Sequence, residues 1–164
     1  MGIYRAYEVD SSGISIGGTS ATPALYCLPT ATSDANIVRI KVAIEAASSP
    51  APPSNGSVLF QLAKVTGSQA GGATALADPI GPSTLAANTT FKSGSTAITG
   101  LTQGVTLWTG VVPFTAGASW EDAYENTGLE IYLPSGTAAY CMYFTAASGA
   151  GSGCNARVIL NFSE

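Results

Sequence analysis

The alternation of apolar and polar positions is clearest in the last third of the chain. Three runs stand there between turn residues: Leu129-Glu130-Ile131-Tyr132-Leu133, Tyr140-Cys141-Met142-Tyr143-Phe144 and Arg157-Val158-Ile159-Leu160-Asn161-Phe162. A period of two, with β-branched and aromatic side chains, predicts strands that bury one face. Pro134-Ser135-Gly136 separates the first pair and the Gly/Ser-rich segment 148–153 the second. Both spacers read as hairpin-type connections, so the three runs are expected to form an antiparallel sheet.

Upstream, Val38, Ile40, Val42 and Ile44 alternate with Arg39, Lys41, Ala43 and Glu45. This predicts a strand from Ile37 to Ala46 with one wet face. The Pro/Ser-rich segment 48–56 must be a loop. Ser57 to Thr66 reads as the next strand, and its alternation slips near Ala63, as a β-bulge would make it do. Residues 67–100 are rich in Ser, Thr, Gly and Ala and are broken by Asp78-Pro79-Ile80-Gly81-Pro82. They read as a long loop region anchored by Leu76, Ile80, Leu85, Phe91 and Ile98. Gly104 to Val112, with Val105, Leu107 and Val111 set against Thr106, Trp108 and Thr109, predicts a strand ending at Pro113. Ser119 to Glu125 carries the one helix signal, because Ser119 and Asp122 have capping-box spacing. Ile14 and Ile16, and Ala24 to Leu28, are weaker strand signals. Residues 1–12, with Ile3, Tyr4, Tyr7 and Val9, read as an N-terminal arm that packs on its own sheet or on a neighbour. The expected fold is an all-β domain over 13–164, a single antiparallel β-sandwich of jelly-roll or immunoglobulin-like kind. It would have about seven or eight strands and one short helix.

Composition sharpens this picture. The 164 residues suit one domain with a sizeable core. Only 10% are charged, against about 25% in an average soluble protein. Ser, Thr, Asn, Gly and Ala must therefore cover the surface, as suits a subunit that meets other subunits, where an unpaired charge is costly to desolvate. The net charge is −4, and the six Lys and Arg are scattered, which argues against nucleic-acid binding. There is no histidine, and the three cysteines, Cys27, Cys141 and Cys154, form no C-x-x-C. A Cys/His zinc site and His-based catalytic triads are thereby excluded. Cys141 reads as a buried apolar filler, with a Cys141–Cys154 bridge as the alternative. The N-terminus lacks an apolar signal core and no run reaches the length of a membrane span, so the expectation is a protein made in the cytoplasm, without a membrane partner.

Few residues point to chemistry. Glu121, Asp122, Glu125 and Glu130 are the one acidic cluster; paired carboxylates serve glycoside hydrolysis or hold calcium, but a solvated turn is the plainer reading. The glycine-rich 149–153 lacks the Lys-Ser/Thr of a phosphate loop. Trp108 and Trp120 could stack on sugars or a partner, or pack in a core or interface. No catalytic residue, metal site or cofactor is expected.

The strand Ile37 to Glu45, the segment Leu59-Phe60-Gln61-Leu62-Ala63-Lys64-Val65-Thr66-Gly67 and the Gly/Ala/Thr-rich stretch after it make up one half of an outline. Trp120 followed by an acidic residue, Gly128-Leu129-Glu130-Ile131-Tyr132-Leu133 and the final Arg157 to Glu164 strand complete it. The outline resembles small β-sandwich virion proteins of tailed bacteriophages, the head decoration and minor capsid proteins. The resemblance implies a structural subunit on the capsid surface that binds the major capsid lattice and copies of itself, as a trimer or other homo-oligomer. Ile3, Tyr4, Tyr7, Trp108 and Trp120 are then the expected interface residues. The alternative is a carbohydrate- or cell-surface-binding module of a phage tail or surface structure.

Overall fold

In a computed structural model of the chain, residues 6–17, 19–30, 32–46, 56–81, 85–124, 127–136, 138–147 and 154–164 are described. They form β1 (Ala6–Asp10), β2 (Ile14–Ser15), β3 (Thr22–Leu28), β4 (Ala35–Ala46), β5 (Ser57–Ala75), β6 (Ala77–Ile80), β7 (Thr90–Pro113), β8 (Ser119–Ala123), β9 (Ile131–Leu133), β10 (Ala139–Ala146) and β11 (Cys154–Ser163). Two antiparallel sheets pack face to face as a sandwich. The larger runs β6-β1-β11-β4-β8, with β2 also on β11 and β9 also on β4. The smaller one, β10-β3-β7-β5, closes on itself.

Strand β4 follows the predicted alternation. Ile40, Val42 and Ile44 are fully buried, while Arg39, Lys41 and Glu45 face outward. Phe162 pairs with Ile37 although Asn161 pairs with Arg39, so Val38 is an inserted residue that resets the phase and turns Ile37 inward too. The three C-terminal runs are strands β9, β10 and β11, but they do not pair with one another. β9 joins β4, β10 lies between β3 and β5, and β11 lies between β1 and β4. The expected hairpins are therefore crossings between sheets. Alternation reports which face is buried and carries no information about which strand lies alongside.

The 67–100 region corrects the sequence reading most. It is not a long loop: residues 67–75 continue β5, 77–80 form β6 and 90–100 open β7. Strands β5 and β7 pair from Ser57–Pro113 through to Ala75–Phe91. A straight strand of the 24 residues of β7 would run about 80 Å at about 3.4 Å per residue, roughly twice the width of a domain this size. The ribbon must bend, and it does so at register shifts after Leu62, Ala63, Gly67 and Gly71. Glycine is needed there. Gly67 and Gly100 have φ of 102° and 78°, and a Cβ on either would fall on a carbonyl oxygen of the opposite strand, Gly100 O or Ser68 O.

The bend closes the small sheet. Near one end of the ribbon β5 pairs with β10, near the other β7 pairs with β3, and β3 pairs with β10. Two cores result. The main one lies between the sheets and holds Tyr7, Ile40, Phe60, Met142, Phe144 and Phe162 among others. The second lies inside the ring: Tyr26, Ala63, Val65, Ile98, Cys141 and Tyr143. The slip expected near Ala63 is the switch between them, since Val58, Phe60 and Leu62 face the main core while Ala63 and Val65 face the ring. Of the five proposed anchors, Phe91 and Ile98 are buried, whereas Leu76, Ile80 and Leu85 are exposed.

No helix occurs among the described residues. The segment expected to be one is β8, which pairs with β4 from Arg39–Ala123 to Ala43–Ser119. Seven residues are too few for a helix to stand without tertiary support, and here the tertiary pairing is a sheet. Residues 6–10 of the supposed arm are strand β1, paired with both β11 and β6. All three cysteines are free and buried. Cys141 lies in the ring core and Cys154 in the main core, so the alternative of a bridge between them is set aside.

Gly100→Ala should lower stability by about 2–4 kcal/mol, from backbone strain plus overlap with the facing strand. Gly117→Ala, also at positive φ but with open space around it, should cost only about 1 kcal/mol. Urea denaturation of both variants measures the difference, which should vanish if ribbon closure does not depend on close backbone approach.

Candidate interaction surface

The two outer faces of the sandwich differ in charge. On the larger sheet, alternation places Glu8 and Asp10 of β1, Arg39, Lys41 and Glu45 of β4, Glu121 of β8 and Arg157 of β11 outward. Most are engaged with one another. Arg39 Nη2 donates to Glu121 Oε1 at 2.6 Å, and Arg157 bonds both Asp10 and, at 2.8 Å, Glu45 Oε1. Asn161 Nδ2 donates to Glu8 at 3.2 Å. Burial alone would push the Asp10 carboxyl up, but the Arg157 guanidinium and the Ser12 N–H together hold it below its ordinary value. Hydrogen bonds to Asp10 and then to Glu45 push the Arg157 guanidinium further up.

The smaller sheet has a neutral outer face. Across it run Thr145, Leu59 and Val111, and beside them Gln61 and Thr109. From Ser93 to Trp120 there is no charged residue, and this stretch supplies most of β7. Its pattern is the reverse of a simple apolar-inward strand. Trp108 and Val112 are buried, while Val105, Leu107 and Val111 are 70%, 41% and 50% exposed. Counting back from Val112, alternation sets Gly110 and Trp108 inward and Val111, Thr109 and Leu107 outward. Leu107 is also an inserted residue, since Leu62 pairs with Trp108 and Ala63 with Thr106, and Val105 falls in a second insertion at 104–105.

Trp108 is held as part of the core. Its Nε1 donates to Asp122 Oδ2 at 2.7 Å, and Tyr124 OH donates to the same oxygen at 3.3 Å. The indole lies over Gly110, where an added Cβ would come within 2.5 Å of its ring. Burial, and then the Asp122 charge, raise the Tyr124 phenol. The hydrogen bonds bind the β7 edge of one sheet to the β8 edge of the other. Trp120, opposite Val42 on the last strand of its sheet, is 48% exposed at that same rim.

The expected interface residues therefore separate. Ile3 and Tyr4 lie outside the described residues. Tyr7 is fully buried, stacked on Phe162 with ring centroids 5.3 Å apart and its hydroxyl 3.4 Å from Ala86 O, so it is a core residue and not an interface one. Trp108 is likewise core, and Trp120 stands at the surface. Val105, Leu107 and Val111 were read as part of a strand pattern and not as surface; the charge-free run around them was the available signal. The acidic cluster also comes apart. Glu121 faces out to Arg39, Asp122 faces in to Trp108, and Glu125 lies outside the described residues.

An open depression of about 430 Å3 at the mouth of the ring is lined by Tyr26, Leu28, Lys64, Val65, Gly67 and Ala139 among others. Lys64 is the one charged side chain there among the described residues, with no carboxylate to form an acid–base pair. Burial raises the Cys141 thiol to about 12 and the Cys27 thiol higher still, so neither is a ready nucleophile at neutral pH.

No family model matches the chain, and no curated protein matches it by sequence.

Because its carboxyl is held low when folded, Asp10 contributes stability that is full above the unfolded value of about 3.9 and is lost as pH falls through the folded value. Asp10→Asn should cost on the order of 1 kcal/mol at pH 7 and flatten the acid limb below about pH 4. Urea midpoints between pH 2 and pH 7, set about one unit apart, measure both effects; parallel wild-type and variant curves would refute the assignment.

Proposed function

We propose that the chain is a structural virion protein, a head decoration or minor capsid subunit of a tailed bacteriophage, acting by binding and not by chemistry. The observation that carries this reading is the uncharged, partly apolar surface of β7 beyond Lys92 and its rim, Val105, Leu107, Val111 and Trp120, on a domain whose ion pairs lie on the outer face of the larger sheet. Neutral surface of this kind is desolvated at little cost when a subunit settles on a lattice or on its own copies. In this reading the sandwich is a variant of the jelly-roll or immunoglobulin-like plan, made in the host cytoplasm and carried on the capsid surface. Its partners are the major capsid protein lattice and copies of itself. It stabilises the head because it binds the assembled shell and not the dissociated capsomers; occupancy at a hundredfold over Kd adds about 2.7 kcal/mol per site.

A second reading, a carbohydrate- or cell-surface-binding module of a tail or surface structure, is favoured by one observation, the half-exposed Trp120.

Cosedimentation with heads of the virus that encodes the chain, stripped of accessory proteins, separates the two. The virion reading expects saturable, stoichiometric binding to heads and none to isolated capsomers, with Trp120 fluorescence unaffected by host polysaccharide. Absence from heads, with polysaccharide quenching that Trp120→Phe abolishes, would replace it with the second reading.

A further inference from the structure

Among the described residues several strands have an unpaired side, and these edges are protected unequally. An open edge presents unpaired N–H and C=O groups to any extended chain, and natural sheets blunt such edges with charge, proline or cover. The outer strand β6 carries Asp78 and Pro79. Strand β8, at the other end of the same sheet, carries Glu121 and Asp122. From Gln103 to Pro113, β7 pairs only with β5, and along its other edge no strand pairs with it among the described residues. That edge carries no charge, and its one proline is the final residue, Pro113. The bulges end at Leu107, so Trp108 to Val112 is regular strand with a free side.

We propose that the chain self-associates through this edge, two copies pairing residues 108–112 antiparallel about a two-fold axis. Gly110 then lies at the axis, and Val111 of each copy faces Thr109 of the other. Three features select a second copy as the occupant. A strand run antiparallel to itself about a two-fold is complementary to itself, each free N–H meeting a free C=O with no second chemistry required. With no charge between Ser93 and Trp120, the pairing brings no like charges into register, whereas a charged partner would find no countercharge. Among the described residues the β6 and β8 edges carry charge or proline, and β2 and β9 are only 2 and 3 residues long. The unpaired side of β5 beyond Thr66 is broken by register shifts after Gly67 and Gly71. Residues 108–112 are thus the regular uncharged edge left for pairing, and association closes at the dimer. Five residue pairs make a small interface, which places the dimer in the micromolar range, about 1–100 µM, and not the nanomolar.

The inference rests on the proposed function only for its use, as the contact between copies, and replaces the trimer that the resemblance implies with a two-fold pair. Its test is done in solution without particles, so failure of one leaves the other standing. Sedimentation of the full chain from about 1 to 200 µM, a span bracketing that range, should show a monomer–dimer equilibrium. Thr109→Lys and Val111→Lys, at exposed positions, should each weaken it at least about tenfold by setting like charges diagonally across the axis. Ile80→Lys on the guarded β6 edge should leave it unchanged. Circular dichroism checks that the variants fold. If they do not, hydrogen exchange of the wild-type amides at 108–112, slowing as concentration rises, decides the matter. A monomer throughout, a dimer indifferent to both lysines, or amides protected only when another protein is added would each overturn the proposal.

Discussion

The length of the β5–β7 ribbon is the constraint from which the rest of the structure follows. Two strands of 19 and 24 residues, against a usual five or six, cannot lie flat on a domain of this size. They remain paired because breaking the ladder would leave backbone groups without partners, so the ribbon bends while still bonded. Glycines permit the bend and inserted residues locate it. Once bent, the ribbon brings its two ends to β3 and β10, whose mutual pairing completes the ring. Strand β10 then has apolar surroundings on both sides, which is why five successive residues, Tyr140 to Phe144, are buried where alternation alone would hide every second one.

Polar contacts secure what the ribbon arranges. The Ser93 hydroxyl in β7 donates to the Ser11 carbonyl next to β1, while Ser11 Oγ accepts from Val158 N–H at 2.9 Å. These bonds tie the two sheets at buried positions, where an unpaired hydroxyl would be costly. At the entry to β7 the Glu164 carboxylate accepts the N–H groups of Asn88 and Thr89 at 2.8 and 2.6 Å. Each bridges residues more than seventy positions apart in sequence, so none of them follows from local pattern.

That distinction explains what could be read in advance. The faces of β4, the slip at Ala63 and the end of β7 at Pro113 are local consequences of side-chain alternation and of proline's missing donor, and they were legible. The residues between Gly67 and Gly100 resembled a loop because glycine, serine and alanine lack the size that marks a strand. Residues 67–75 and 90–100 are strand here because each stretch lies alongside the other. Ser119 to Glu125 resembled a helix through a capping signal worth about 1 kcal/mol, which pairing with β4 and the Trp108–Asp122 bond outweigh. Tyr7 resembled an exposed anchor because the first residues look like an arm, yet β1 is enclosed between β11 and β6 and carries Tyr7 into the core.

The same bulges that close the ring also determine the surface. An unbulged β7 would set Val105 and Leu107 outward as Val111 is, but would leave the strand edge straight and regular along its length. The insertions confine the regular free edge to the few residues after Leu107. A long, flat, uncharged edge invites open-ended aggregation, whereas a short one flanked by bulges limits the length that can pair. The opposite face keeps its charges largely matched with one another, Arg157 with Asp10 and Glu45, Arg39 with Glu121. It offers a hydrated side that does not compete for the same contacts. Charged and uncharged surface are thereby separated in space. Here the separation follows from folding itself, since the bend that completes the core also sets the uncharged strand at the rim.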